Sequence, residues 1–313
     1  MGVVGRFIIS VNFMIVPLTA VGQTSQTDIP IAGTTDFIVR EEVLFSEVDA
    51  EDISWILEAI PYPMPELLDP DPEDAPSRGA DEPVIGEPVP GALAPRSGVS
   101  SQVPHPDRFQ DPAGAVGKLF FKRNGQPYVC SAQLVGAFDV IVTAGHCLYD
   151  DGARSTDIVF CPLYPEMVGG CNKGELAFTH SKWRNDRFFV WDYGVVKLEF
   201  PVLLGMSALG YVAQPNFRNI QVDAFGYPAE GRFDGEILMQ VTGSTRILPT
   251  QSRYVQLRSD MNGGASGGGW INNNRIIALN SYTRSDRPGV MHSPYLGLDF
   301  CDMLFSAGVN CRR

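Results

Sequence analysis

From about Ala115 onward the chain alternates short apolar runs with turn residues: "VGKLFFKR", "QPYVCSAQLV", "DVIVTA", "DIVFCPLY", "DYGVVKLEF", "IQVDAFGY", "GEILMQVTGS", "YVQLRS" and "RIIALNSYT". Short runs rich in Val, Ile, Phe and Tyr, bounded by Gly, Asn, Asp and Pro, predict β-strands. Asn124-Gly125 between the first two predicts a tight hairpin, because both turn positions need positive φ. No helical period intervenes until "SPYLGLDFCDMLFSAG", which predicts a short closing helix. Evenly spaced strands with turn signals predict an all-β barrel or sandwich rather than alternating β and α elements.

The first 115 residues have another texture. "MGVVGRFIISVNFMIVPLTAVGQT" carries one Arg, an interrupted apolar run, and small residues Ala20 and Gly22 before Gln23. That is the layout of a secretory signal peptide over 1–22. Residues 23–115 hold 14 of the 24 prolines and 19 Asp+Glu against 4 Arg, a balance of −15. Residues 116–313 carry 17 acidic and 19 basic side chains, so the overall −12 belongs to the extension. Such composition predicts a largely irregular segment. One island differs: in "DAEDISWILEAI", Ile53, Ile56, Leu57 and Ile60 fall on one face of a short amphipathic helix that needs a partner.

Charge and hydropathy also exclude some partners. No basic stripe suggests nucleic acid, and no second apolar stretch reaches membrane length once the signal is removed. Export exposes the six cysteines to oxidising conditions, where an even count reads as disulfides. The simplest pairing of the fifteen possible is Cys130–Cys147, Cys161–Cys171 and Cys301–Cys311.

Three stretches carry chemistry. "SDMNGGASGGGWINNNR" sets Ser266 among glycines, either a slack linker or a turn so tight that only glycine follows it. Strand-like sequence on both sides favours the turn, which could present a nucleophile and aim backbone N–H groups at a carbonyl. "VTAGHCLYD" places His146 just after a strand, beside Cys147. A disulfide from Cys147 to Cys130 would staple that turn to the hairpin. Zinc is disfavoured, since no CxxC or HxxxH spacing supplies further ligands. "FFVWDYGVVKLEF" interrupts an apolar strand with Asp192, either a solvated turn residue or a buried carboxylate in need of a donor such as histidine Nδ1–H. Gly264 to Gly268 also satisfies G-x-S-x-G, but only His292 follows Ser266 and no βαβ alternation precedes it, against an α/β-hydrolase.

The order His146, Asp192, Ser266, with "TAGHC", "WDYGVVKL" and "GGASGGG", resembles the chymotrypsin-like (trypsin-fold) serine peptidases. "VGKLFF", "YVCSAQLV", "FGYPAEGRFDGEIL" and "DMNGGASGGGW" are similar to the secreted bacterial branch that includes V8-like glutamyl endopeptidases. The resemblance covers about 116–300. It implies an all-β fold of two packed six-stranded antiparallel Greek-key barrels, 116–205 and 206–313. It further implies a His146–Asp192–Ser266 triad, oxyanion donors at the amides of Gly264 and Ser266, and no metal or cofactor.

By the same resemblance Asp260 stands where trypsin-like enzymes carry the S1 acid, which would favour Arg or Lys at P1. The V8-like relatives suggest Glu instead, which an inward Asp260 would repel. Asn280–Thr283 is similar to the family's substrate-pairing edge, with Ser281 near Asp192, Tyr282 beside it, and Thr283 narrowing the pocket. Ala265 replaces the acid that pairs with a new N-terminus in many members, so activation by that ion pair is not expected. The reading is a secreted monomeric endopeptidase acting on protein or peptide substrates. Its acidic propeptide (23–115) would act as an intramolecular inhibitor trimmed around Arg96 or Arg108. A non-catalytic binding protein on the same scaffold is the alternative.

Overall fold

The computed structural model describes residues 25–32, 34–45, 54–67, 98–166, 170–203, 207–213, 219–248 and 251–311. The signal segment, Ile53 and Arg96 lie outside the described residues. Six antiparallel strands close the first barrel. In spatial order they are Val116–Arg123, Gln126–Leu134, Val140–Thr143, Gly194–Leu198, Asn172–His180 and Thr156–Pro162, the last pairing back to the first. Asn124 (φ 51°) and Gly125 (φ 81°) make the expected two-residue turn, whose twist matches that of the flanking strands.

The second barrel is shared between two sheets. One holds Gln221–Gly226, Met239–Ser244, Gly269–Asn272 and Arg275–Leu279; the other holds Arg246–Leu248, Gln251–Arg258, Val290–Pro294 and Tyr282–Arg284. The chain crosses between sheets at Thr245 and again at Asn280-Ser281, all three buried. Their backbone N–H groups stay paired, Thr245 with Ile220 O and Asn280 with Gly268 O, so the corners leave no orphan donors.

One apolar cluster fills the first barrel and continues through Phe225, Tyr227 and Leu238 into the closing helix Leu298–Ser306, where Phe300, Met303 and Leu304 are buried. A second gathers Val241, Leu257, Trp270 and Met291 inside the other barrel. The three disulfides are those read from the sequence: Cys130–Cys147, Cys161–Cys171 and Cys301–Cys311.

The described parts of the N-terminal extension are folded onto this frame. Gln26–Pro30 and Phe37–Glu42 form a hairpin whose second strand pairs with Asn172–His180, burying Ile38 and Val39. Ser101–Gln102 joins the edge of Met239–Ser244. The amphipathic α-helix is corrected: Ser54–Glu58 is a short 3-10 turn that buries Trp55 and Ile56. Leu57 and Ile60 remain 76% and 47% exposed. A five-residue element followed by Pro61 has no room for a second turn, so the bulky adjacent pair takes the core rather than the i, i+4 set.

Candidate active site

His146 lies on the one-turn helix Gly145–Leu148 that follows Val140–Thr143. The helix packs so closely that a Cβ on Gly145 would stand 3.0 Å from Trp183 and 3.1 Å from Asp192 Oδ1. Asp192 caps the 3-10 turn Phe189–Trp191, just before the Gly194–Leu198 strand rather than within it. Its carboxylate is wholly buried, and three donors meet it. His146 N donates to Oδ1 at 2.7 Å, His146 Nδ1 lies 2.8 Å from Oδ2, and Ser281 Oγ donates to Oδ2 at 2.5 Å. An ionised carboxylate only accepts, so the imidazole proton resides on Nδ1 and Nε2 is left with a free lone pair.

Ser266 is carried on the second barrel but held by the first. Ser131 N donates to Ser266 O at 2.7 Å, and Cys147 Sγ lies 3.9 Å from the same oxygen. A ring nitrogen of His146 and that Sγ are within 4.8 Å of each other, so the turn that carries His146 meets the Ser266 loop through Cys147. Among the described residues, neither His146 Nε2 nor Ser266 Oγ has a hydrogen-bond partner, and both residues are fully buried. His146 Nε2 and Ser266 Oγ therefore make no hydrogen bond to each other in this structure.

The glycines around Ser266 answer to backbone geometry. Gly264 has φ +88°, and a Cβ there would stand 2.5 Å from Tyr227 O; Gly267 has φ +84° and would meet Thr143 Oγ1 at 2.1 Å. Both positions exclude any side chain. Sequence reasoning missed the residues that brace this loop. Ser131 Oγ donates to Gly264 O at 2.9 Å and accepts from Tyr227 N at 2.9 Å. Asn280 Nδ2 donates to Ala265 O and Phe225 O, while Trp270 Nε1 donates to Asn280 Oδ1. Ser131's place next to Cys130 was the available signal. Ala265 is fully buried in the second apolar cluster, an environment that suits a methyl group and not a carboxylate.

The remaining predicted residues divide. Ser281 reaches Asp192. Tyr282 is fully buried, stacked on His292 with centroids 4.9 Å apart and packed on Phe189, so its side chain belongs to the core. Thr283 N donates to Pro65 O at 3.0 Å, placing a stretch of the extension along this edge. Asp260 does not present a free carboxylate: Oδ1 accepts from Ser100 N at 2.8 Å and Oδ2 from Arg232 at 2.5 Å. Burial would raise its pKa, but these hydrogen bonds prevail and hold it below the usual value. Beside it a cavity of about 290 Å³ opens between Ser100–Gln102 and the 228–239 stretch, and His146, Asp192 and Ser266 are not among its lining residues. Cys130, His146 and Cys147 are the group of potential metal ligands among the described residues, but the disulfide consumes both thiolates.

A family model described as trypsin matches residues 110–293. The chain belongs to the trypsin family. Solved structures agree. A thermostable serine protease, AL20, from an extremophilic microorganism is 31% identical, with TM-score 0.57, covering 63% of this chain and 98% of its own. Protease Anisep from Arthrobacter nicotinovorans is 26% identical, with TM-score 0.55, covering 62% and 95%. A Glu endopeptidase shares the fold at 18% identity and TM-score 0.58, covering 68% and 97%. No curated protein matches. Among the described residues no helix is long and apolar enough to cross a membrane. Secretion is usual for trypsin-like proteases, and three disulfides fit an oxidising compartment.

Proposed function

We propose that the chain is a secreted serine endopeptidase that cleaves protein and peptide substrates through an acyl-enzyme on Ser266. One observation carries this reading: Asp192 engages His146 N and Nδ1, which leaves Nε2 unengaged, and Ser266 Oγ, on the loop held by Ser131, is unengaged as well. His146 Nε2 takes the hydroxyl proton as Ser266 attacks the carbonyl carbon, and Asp192 stabilises the imidazolium that results. The amides of Gly264 and Ser266 receive the developing oxyanion, each donor worth about 3–4 kcal/mol of barrier. His146 then returns its proton to the leaving amine, and water repeats the sequence on the ester. Purified protein, freed of its extension, is expected to cleave members of a mixed peptide library. Ser266→Ala must abolish every cut, and cleavage that survives it sinks the proposal.

Asp260 bears on substrate choice. With Arg232 on its carboxylate, an Arg or Lys at P1 has to displace a guanidinium before it can pair, so in this reading Arg232 is the gate on basic specificity. For maturation the reading favours Arg96 over Arg108. Arg108 lies in the 3-10 turn His105–Phe109, its Nε donating to Val103 O and its Nη1 to Glu166. A processing enzyme needs an extended, accessible bond, which this turn does not offer.

A further inference from the structure

Residues Ile60–Pro61 pair in parallel with Tyr128–Val129 on one side of Ser266, and Glu66–Leu67 pair in parallel with Thr283–Arg284 on the other. The chain between them crosses the site. Tyr62 N donates to Val129 O at 3.0 Å, and Tyr62 O accepts from Gly264 N at 3.2 Å. That amide is one of the two assigned above to the oxyanion. The Tyr62 ring stacks on the His146 imidazole, centroids 5.8 Å apart and 23° between planes, and meets Tyr128 edge-on at 5.1 Å. The Arg123 guanidinium carbon lies 4.7 Å from the ring centroid, Phe121 lies 5.7 Å away, and the phenol donates to Asp150 Oδ2 at 2.7 Å. The pocket's polar members are themselves built in: Arg123 Nη2 donates to His146 O and Ser155 Oγ, and Asp150 pairs with Arg187.

Resting on the peptidase reading, we propose that Phe121, Arg123, Tyr128, His146 and Asp150 form a subsite for a tyrosine side chain, and that Tyr62 is its resident occupant, holding the enzyme latent. Three features suit this strap to staying uncut. Pro61, Pro63 and Pro65 alternate with the anchoring residues, fixing φ and lowering the ordering cost of an extended segment. The bond after the Tyr62 carbonyl leads into Pro63, whose ring carbons crowd the nitrogen that His146 would have to protonate. Trp55 and Ile56 in the main core, Met64 against the second cluster and Leu67 against the cluster of Trp183, Phe189, Val190, Tyr254 and Tyr282 hold the strap at several points. With it in place neither His146 nor Ser266 has exposed surface. Once it leaves, the same subsite is open to a tyrosine of the substrate, on the Gln126–Leu134 side of the serine.

The test is the rate at which a fluorophosphonate labels Ser266 in the full chain. Tyr62→Ala is expected to label at least tenfold faster than the parent. Tyr62→Phe, which keeps the stacking but loses the bond to Asp150, is expected to fall between them. A synthetic peptide of residues 54–67 added to Tyr62→Ala should restore slow labelling, and the same peptide with Ala in place of tyrosine should not. Equal rates for all three chains, or equal protection by both peptides, overturns the strap and its subsite while leaving the peptidase intact. Absence of label on Ser266 in every variant overturns the peptidase reading, and the strap with it. If Tyr62→Ala does not fold, Tyr62→Phe, and the peptide pair added to the enzyme freed of its extension, separate the same outcomes.

Discussion

Asp192 shows how much a single buried charge can organise. A carboxylate with no exposed surface is tolerable only when its lone pairs are met, and here two donors come from one histidine and one from Ser281. Asp192→Asn would offer an N–H where an acceptor is needed and invert the imidazole tautomer. Its kcat is expected to fall by about 10⁴ in steady-state peptide hydrolysis, with folding retained. Gly264→Ala acts through geometry instead. The left-handed φ and the approach to Tyr227 O turn the amide away from the oxyanion, so kcat should drop about 10²-fold with KM little changed.

His292 tests the physics of burial at the same scale. Desolvation, reinforced by Arg284 and Arg287, lowers its pKa from 6.5 to about 4. A folded-state value below the unfolded one means that the unfolded chain binds the proton first. Its stabilising contribution is complete above pH 6.5 and is lost as pH falls toward 4, roughly 3 kcal/mol in all. Calorimetric Tm should therefore fall between pH 7 and pH 4, and fall less steeply in His292→Gln.

Among the elements, the strands and the contact of His146 with Asp192 are legible in the sequence because their signals are local. The Asn124-Gly125 turn, the β-branched runs and the glycines flanking Ser266 each dictate a backbone state to their immediate neighbours. The 3-10 turn Ser54–Glu58 departs from its own periodicity because the core it meets decides which side chains go in. Ser131, and the bracing role of Asn280, are invisible for a related reason: their work is to hydrogen-bond backbone groups more than 10 residues away, or across the barrel seam. The loop that carries Arg232 gives a prediction of its own. Arg232→Ala frees Asp260 Oδ2, and kcat/KM for substrates with Arg or Lys at P1 should rise relative to neutral ones. No change in that ratio would remove Asp260 from substrate selection. The folded turn around Arg108 gives another: N-terminal sequencing of the mature protein should begin at Ser97, and a start at Phe109 would refute the role given to accessibility.

Across the whole molecule, the two barrels contribute halves of the proposed site, and described parts of the extension lie over it. The barrels meet through Ser131, Thr143 and the Cys130–Cys147 disulfide on one side and the Ser266 loop on the other, so in the proposed mechanism the seam sets how His146 and Ser266 approach each other. The strong acidity of residues 23–115 marks that extension as a part chemically distinct from the catalytic body, which is nearly neutral. Peptide mapping after fluorophosphonate treatment of the enzyme freed of its extension probes the pairing of His146 with Ser266 without any substrate. A stoichiometric adduct is predicted on Ser266, vanishing in Ser266→Ala and forming at least about 10³-fold more slowly in His146→Ala. An adduct on another residue, or a Ser266 adduct whose rate is indifferent to His146, would contradict that pairing.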